Sequence, residues 1–120
     1  MAVTEKPLYY LSIHEAQQLI QNRQLSPVEL TRAVLERINA VDDKLHAYIH
    51  LMADSALSEA RVAKDEIQRG HWRGPMHGIP VAVKDQLDVD GAPARVRQFT
   101  KGVGDATVVR KLRDAGAVMM

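Results

Sequence analysis

The chain has 120 residues, 46% of them hydrophobic and 26% charged, which suits one globular domain with a modest core and is too few for two. A net charge of +1 offers no basis for electrostatic capture of nucleic acid or of an anionic membrane surface. No cysteine is present, which excludes a disulfide scaffold, a thiolate nucleophile and a Cys-ligated zinc site. The N-terminus lacks the apolar centre of a signal peptide, and no apolar run approaches the ~20 residues of a spanning helix. A soluble, cytoplasmic protein is the expectation.

Two S-x-x-E capping boxes stand near the start. Ser12 with Glu15 predicts a helix over 13–22, and Ser26 with Glu29 predicts a second over 27–42. Pro27 falls at the first helical position of the second, where its missing N–H costs nothing. Leu30, Val34, Ile38 and Val41 recur at helical spacing, with Glu29, Arg32, Glu36 and Arg37 on the solvated face. Residues 46–52 are ambiguous between a short strand and the run-in to another helix. Asp54 is a cap candidate for a helix over 55–69 with an apolar stripe of Ala56, Leu57, Ala60, Ala63 and Ile67, and Gly70 is placed to stop it.

From residue 70 to 80 the chain holds three glycines and two prolines, a density no helix survives. Ile79 to Lys84 reads as a strand, and Asp90-Gly91 is a turn signal able to reverse it into a hairpin. Residues 94–104 show no clear period. Asp105 is the expected cap of a last helix, with Val108, Val109 and Leu112 inward and Gly116 as its stop. Ala117 to Met120 opens as a buried strand. Strand, connection, helix and strand make a βαβ pattern, for which a right-handed crossover is expected. Two strands cannot complete a parallel sheet covered on both faces. The reading is therefore α/β: N-terminal helices (10–70), then the first strands of a mixed sheet flanked by helices (74–120), as the N-terminal segment of a single larger domain spanning 1–120.

Lys84 is the residue of chemical interest. Along the expected strand it shares a face with Pro80 and Ala82, while Ile79, Val81 and Val83 share the other. Small neighbours leave room for a ligand or another backbone, and a desolvated amine could serve as a base near neutral pH. The pattern equally admits a strand-end lysine whose stem lies on apolar surface while its head reaches water or Asp85.

Gly74-Pro75-Met76-His77-Gly78-Ile79-Pro80-Val81-Ala82-Val83-Lys84-Asp85 resembles the G-P-L-x-G-I-P-x-x-x-K-D segment of the amidase signature family. Leu25 to Thr31 is similar to that family's L-S-S/P-x-E-L-T helix start, and Arg37 to Asp42 to its R-I-x-x-x-D/N helix end. Asp105 to Val109 with Leu112 to Ala117 is similar to its D-A-x-x-V-x-x-L-x-x-A-G-A helix. The resemblance implies hydrolysis of carbon–nitrogen (amide) bonds by a Ser–cis-Ser–Lys triad, with Lys84 as its base and no cofactor or metal. It implies a small-molecule amide substrate and, for a full-length protein, a homodimer or amidotransferase subunits as partners. Neither serine can be assigned, because Ser12, Ser26, Ser55 and Ser58 all fall at helix caps or on a helix. Gln86 follows Lys84-Asp85 where the family usually has Asn, and Ala92 to Arg97 stands where it has T-T-x-G-S. A truncated family member that hydrolyses no amide alone is expected, the alternative being a non-catalytic remnant or a binding and assembly module.

Other candidates resolve to plainer readings. His46 and His50 stand four apart, but no H-E-x-x-H or third ligand accompanies them, so they are expected to be isolated histidines. His71 and His77 bracket Trp72 and could line a site entrance, with a structural role the better reading of His77. Arg95, Arg97, Lys101, Arg110, Lys111 and Arg113 are read as a solvated face, since acidic residues interrupt them and no aromatics interleave. The 74–78 loop fits no phosphate-binding pattern.

Overall fold

The computed structural model describes residues 5–93 and 104–120. After a 3-10 turn at Leu8–Tyr10 come α1 (Ile13–Gln21), α2 (Pro27–Leu45) and α3 (Ala53–Gln68). A glycine-rich loop leads to β1 (Pro80–Val81), then α4 (Thr107–Asp114) and β2 (Val118–Met119). β1 and β2 pair in parallel, Pro80 opposite Val118 and Val81 opposite Met119, with α4 lying between them in sequence.

Both capping boxes form. Ser12 accepts from the Glu15 N–H at 3.1 Å while Glu15 accepts from the Ser12 N–H at 2.7 Å. Ser26 and Glu29 repeat the exchange at 3.0 and 2.9 Å. Each box satisfies two backbone donors that a helix start leaves open, and its serine contributes about 1 kcal/mol relative to alanine. α2 runs on to Leu45 rather than stopping at 42, and His46 ends it in the left-handed conformation at φ 51°.

Two cap assignments from sequence are corrected. α3 starts at Ala53 with Met52 as its N-cap, not at Asp54, which sits in the first turn. The Met52 N–H is bonded to the Met120 carbonyl at 2.8 Å, so the strand draws the helix start toward itself. α4 is capped by Ala106, because the Asp105 carboxylate is taken up elsewhere. Residues 46–52 are neither strand nor helix up to that cap.

The alanine stripe of α3 explains how three layers meet. Ala56 and Ala60 are fully buried against Val118 and Met120 of the strand end and the half-buried Val34, Leu35 and Ile38 of α2. Small side chains let helix and strand approach closely, as the pattern anticipated. At the other end Ile20, Leu25, Leu30, Ile67 and Ile79 form a second cluster, which joins α1, α2 and α3 to the run-in of β1. A third cluster centres on Val109, Ala117 and Met119 and is covered by Val81, Val83, Leu87 and Val89. Val108, expected inward, is exposed; α4 is short, and Val109 and Leu112 already fill its inner face.

The expected strand over 79–84 is only two residues long, and the hairpin is absent among the described residues. The last ladder bond runs from the Met120 N–H to the Val81 carbonyl at 3.0 Å, and the described residues offer Ala82 to Lys84 no further strand. Asp90-Gly91 does form a turn, with Gly91 at φ 86°, but no strand follows it up to residue 93. Residues 94–103, including Arg95, Arg97 and Lys101, lie outside the described residues.

Two glycines in left-handed conformations are also pressed by neighbours. A Cβ on Gly78 would stand 2.5 Å from Pro27 Cγ, and one on Gly116 would stand 2.4 Å from His77 Cδ2. Gly70 has a similar φ of 84° but open space around it. Gly70→Ala is therefore expected to cost about 1–2 kcal/mol from backbone conformation alone. Gly116→Ala should cost about 2–4 kcal/mol, since overpacking adds to the same term. Urea unfolding of the two variants measures the difference; equal losses would contradict it.

Candidate active site

Lys84 lies three residues past β1. The alternation read from sequence persists there: Val81 and Val83 are half-buried while Ala82 and Lys84 are exposed. The Lys84 side chain is thus exposed, and among the described residues no carboxylate pairs with it. It borders a cavity of about 220 Å³ between the 47–52 segment, the 82–93 loop and Met120.

The cavity wall has a definite chemistry. Tyr48, His50, Lys84 and Asp85 supply its polar groups, and Met52, Val83, Leu87 and Met120 its apolar ones. Burial, reinforced by Asp42, pushes the Tyr48 phenol up, so it stays a neutral donor across the physiological range. Asp85 Oδ2 is buried without a hydrogen-bond partner among the described residues. A bare buried acceptor is costly to leave without a donor. None of the four serines lines this cavity.

His77, three residues before β1, belongs to the scaffold. Its ring is fully buried, 5.8 Å from the Trp72 ring and against the Gly116 backbone. Nδ1 accepts from the Arg73 N–H at 3.1 Å, so the ring proton resides on Nε2 and is donated to Glu66 Oε2 at 2.8 Å. Glu66 Oε1 also pairs with Arg73 at 2.6 Å, and Arg73 reaches the Asp114 carbonyl at 3.3 Å. Burial resists ionisation of Glu66, but the hydrogen bonds from Arg73 and His77 outweigh it and hold the carboxyl below its usual range. The structural role expected for His77 agrees with this network. His71, His46 and His50 are exposed, and among the described residues no group of three acidic or histidine side chains could hold a metal.

A second polar link was not anticipated. Glu59, seven residues before Glu66 on α3, accepts the Met119 N–H at 2.8 Å and pairs with Arg113. Arg113 Nε lies 2.8 Å from Asp105 Oδ2, in an ionic contact without hydrogen-bond geometry. Asp105 Oδ1 accepts the Asp90 N–H at 2.7 Å. Arg113 therefore leaves the solvated face assigned to it, while Arg110 and Lys111 stay exposed. The heptad spacing of Glu59 and Glu66 beside an alanine stripe was the available signal; a carboxylate next to a buried face calls for a partner.

With this geometry in place, comparison with known proteins is informative. Native peptide amidase from Stenotrophomonas maltophilia superimposes with a TM-score of 0.86 at 36% identity, covering 95% of this chain and 24% of that one. A fatty acid amide hydrolase structure shares the fold, with a TM-score of 0.87 at 22% identity over 98% of this chain and 22% of its own. The architecture is the opening part of the mixed α/β fold found in amidase-signature enzymes. The chain belongs to the amidase family, whose sequence profile matches residues 29–120. A glutamyl-tRNA(Gln) amidotransferase subunit from Moorella thermoacetica is 42% identical over 117 residues, covering 94% of this chain and 24% of that protein. Its counterpart from Desulfosudis oleivorans is 44% identical over 115 residues, covering 92% and 24%. The chain thus spans about a quarter of the length of the curated relatives it matches. Among the described residues no helix is long and apolar enough to cross a membrane.

The buried histidine supplies a pH prediction. Burial, against the opposing pull of Glu66, pushes His77 below its ordinary value of 6.5. The unfolded chain takes up a proton at 6.5, whereas the folded ring refuses it until lower pH. The stability from neutral His77 is complete above 6.5 and is lost as pH falls toward the folded value. The urea midpoint should therefore decline as pH falls through 6.5 and below, and His77→Leu should flatten that slope. An unchanged slope in the variant would assign the decline to other groups.

Proposed function

We propose that residues 1–120 form the N-terminal segment of a single amidase domain of a cytoplasmic carbon–nitrogen hydrolase, and that they supply its base, Lys84. The observation carrying this reading is the exposed Lys84 amine at the mouth of a 220 Å³ cavity. Ala82 beside it leaves the approach open, and Asp85 offers a bare buried acceptor next in the chain. The family resemblance of the Gly74–Asp85 segment supplies the role.

In this reading the neutral Lys84 amine takes a proton through a bridging serine from a nucleophilic serine, both carried by a Gly/Ser-rich segment outside these 120 residues. The activated oxygen attacks the amide carbonyl, the nitrogen leaves protonated, and water hydrolyses the acyl-enzyme. Enclosure by that further polypeptide would take the amine out of water. The residues present thus supply one member of the triad, and alone they hydrolyse no amide. The substrate is a linear amide, consistent with relatives named as peptide amidase and as an amidotransferase component; partner subunits or a second copy would join the whole protein.

A graft tests this. Residues 1–120 replace the matching quarter of the Stenotrophomonas maltophilia peptide amidase, and ammonia release from a peptide amide is followed. The graft is expected to be active and Lys84→Ala to lower kcat by about 10²–10⁴-fold, the usual worth of a general base. The 120-residue chain by itself should release no ammonia. An active graft indifferent to Lys84→Ala would refute the assignment, and a folded but inactive graft would favour a non-catalytic binding module.

A further inference from the structure

We propose that Glu59, Arg113 and Asp105 are positioning residues for Lys84, acting as an ionic relay that holds the lysine-bearing segment on the βαβ unit. The proposal rests on the reading of Lys84 as a base.

Beyond β1 the lysine segment has no strand partner among the described residues, so its path rests on the packing of Val83, Leu87 and Val89 and on what grips it at both ends. Behind Lys84, the Met120 N–H bonds the Val81 carbonyl at 3.0 Å. Ahead of it, the Leu87 N–H closes a turn on the Lys84 carbonyl at 2.9 Å, Leu87 and Val89 pack against the Val109, Ala117 and Met119 cluster, and the loop is hydrogen-bonded to the start of α4. The Asp88 carbonyl accepts the Ala106 N–H at 2.8 Å, and the Asp90 N–H donates to Asp105 Oδ1 at 2.7 Å. The side-chain part of the forward grip is thus set by where Asp105 is held.

Asp105 is held by charge. Its other oxygen faces Arg113 Nε at 2.8 Å, and the far side of the same guanidinium pairs with Glu59 of α3. The second oxygen of Glu59 accepts the Met119 N–H at 2.8 Å, on β2 beside Val81. Starting at the strand and ending at the loop, the path runs Met119, Glu59, Arg113, Asp105, Asp90. It encloses Lys84 between two ends of one chain of contacts. All three charged side chains are less than a third exposed, which reduces the screening that makes surface pairs weak. A cation between two carboxylates, each also accepting a backbone N–H, has little freedom to rearrange.

Arg113 cannot be replaced by shape alone on this account. An uncharged side chain of similar length would keep the packing yet leave Glu59 and Asp105 facing each other without a cation. Asp105 would then turn to water and release the Asp90 N–H.

The experiment is amide hydrogen exchange by NMR on the 120-residue chain. Arg113→Met, which keeps the stem and loses the charge, is expected to speed exchange at Asp90 and Leu87 at least tenfold and to shift the Lys84 amide. Val118, whose N–H bonds Ile79, should stay protected as the internal reference. Arg113→Lys, which returns a cation between the carboxylates without the fork of the guanidinium, should restore part of the protection and slow both rates relative to Arg113→Met. Asp105→Ala provides a second route to the same loss if Arg113→Met does not fold. Unchanged exchange at Asp90 and Leu87 in either folded variant would overturn the proposal. So would uniform acceleration that includes Val118, or failure of Arg113→Lys to restore protection, because each makes the side chains merely structural. These readouts do not require Lys84 to be a base, so failure of that assignment in the graft is seen separately.

Discussion

The ring of His77 pressed against the backbone of Gly116 is the contact on which the rest of this structure depends. It fixes the distance between the loop entering β1 and the turn entering β2, and the Gly78 N–H bonds the Gly116 carbonyl at 2.8 Å beside it. A Cβ at Gly116 would force the ring to shift, and the ring can be buried only because both nitrogens are satisfied, one by Arg73 and one by Glu66. From this point two strands of two residues each become a defined parallel pair. A ladder that short has little stability of its own.

α3 acts as the organiser of the unit. Its alanines admit β2 to close contact, and its two glutamates, one heptad apart, each hold a different part of the βαβ connection. Glu66 secures the entrance to β1 through His77 and Arg73. Glu59 secures β2 and α4 through the Met119 N–H and Arg113. A helix with a small-residue face and charged flanks can do both, because close approach brings backbone donors within reach of its carboxylates. The lysine segment then emerges from a rigid base while remaining open on the cavity side.

Much of the helical part was legible in the sequence. Capping boxes are local, so Ser12–Glu15 and Ser26–Glu29 announce helix starts without knowledge of the fold. The alanine stripe announced close packing by its size alone. Lys84 stood out through the small residues beside it and through the family segment that contains it. Asp54 and Asp105 show where local reasoning ends. Both suit an N-cap, yet Met52 is drawn to Met120, and Asp105 has a stronger use between Arg113 and the Asp90 N–H. Long-range partners prevail over a cap worth about 1 kcal/mol.

By itself the sequence determined the helices, the alternation around Lys84, the membership of the amidase family and the lack of a thiol in these 120 residues, because each depends on residue type and short spacing. Tertiary structure alone decided that the strand ends at Val81, that the expected hairpin has no second strand among the described residues, and that Arg113 is an inner cation. It also decided that His77 is neutral scaffold and that the Lys84 amine faces a cavity in the open. These outcomes depend on which backbone donors and charges the fold brings together, at separations as large as the 54 residues between Arg113 and Glu59. Spacing along a chain does not encode such meetings; packing does.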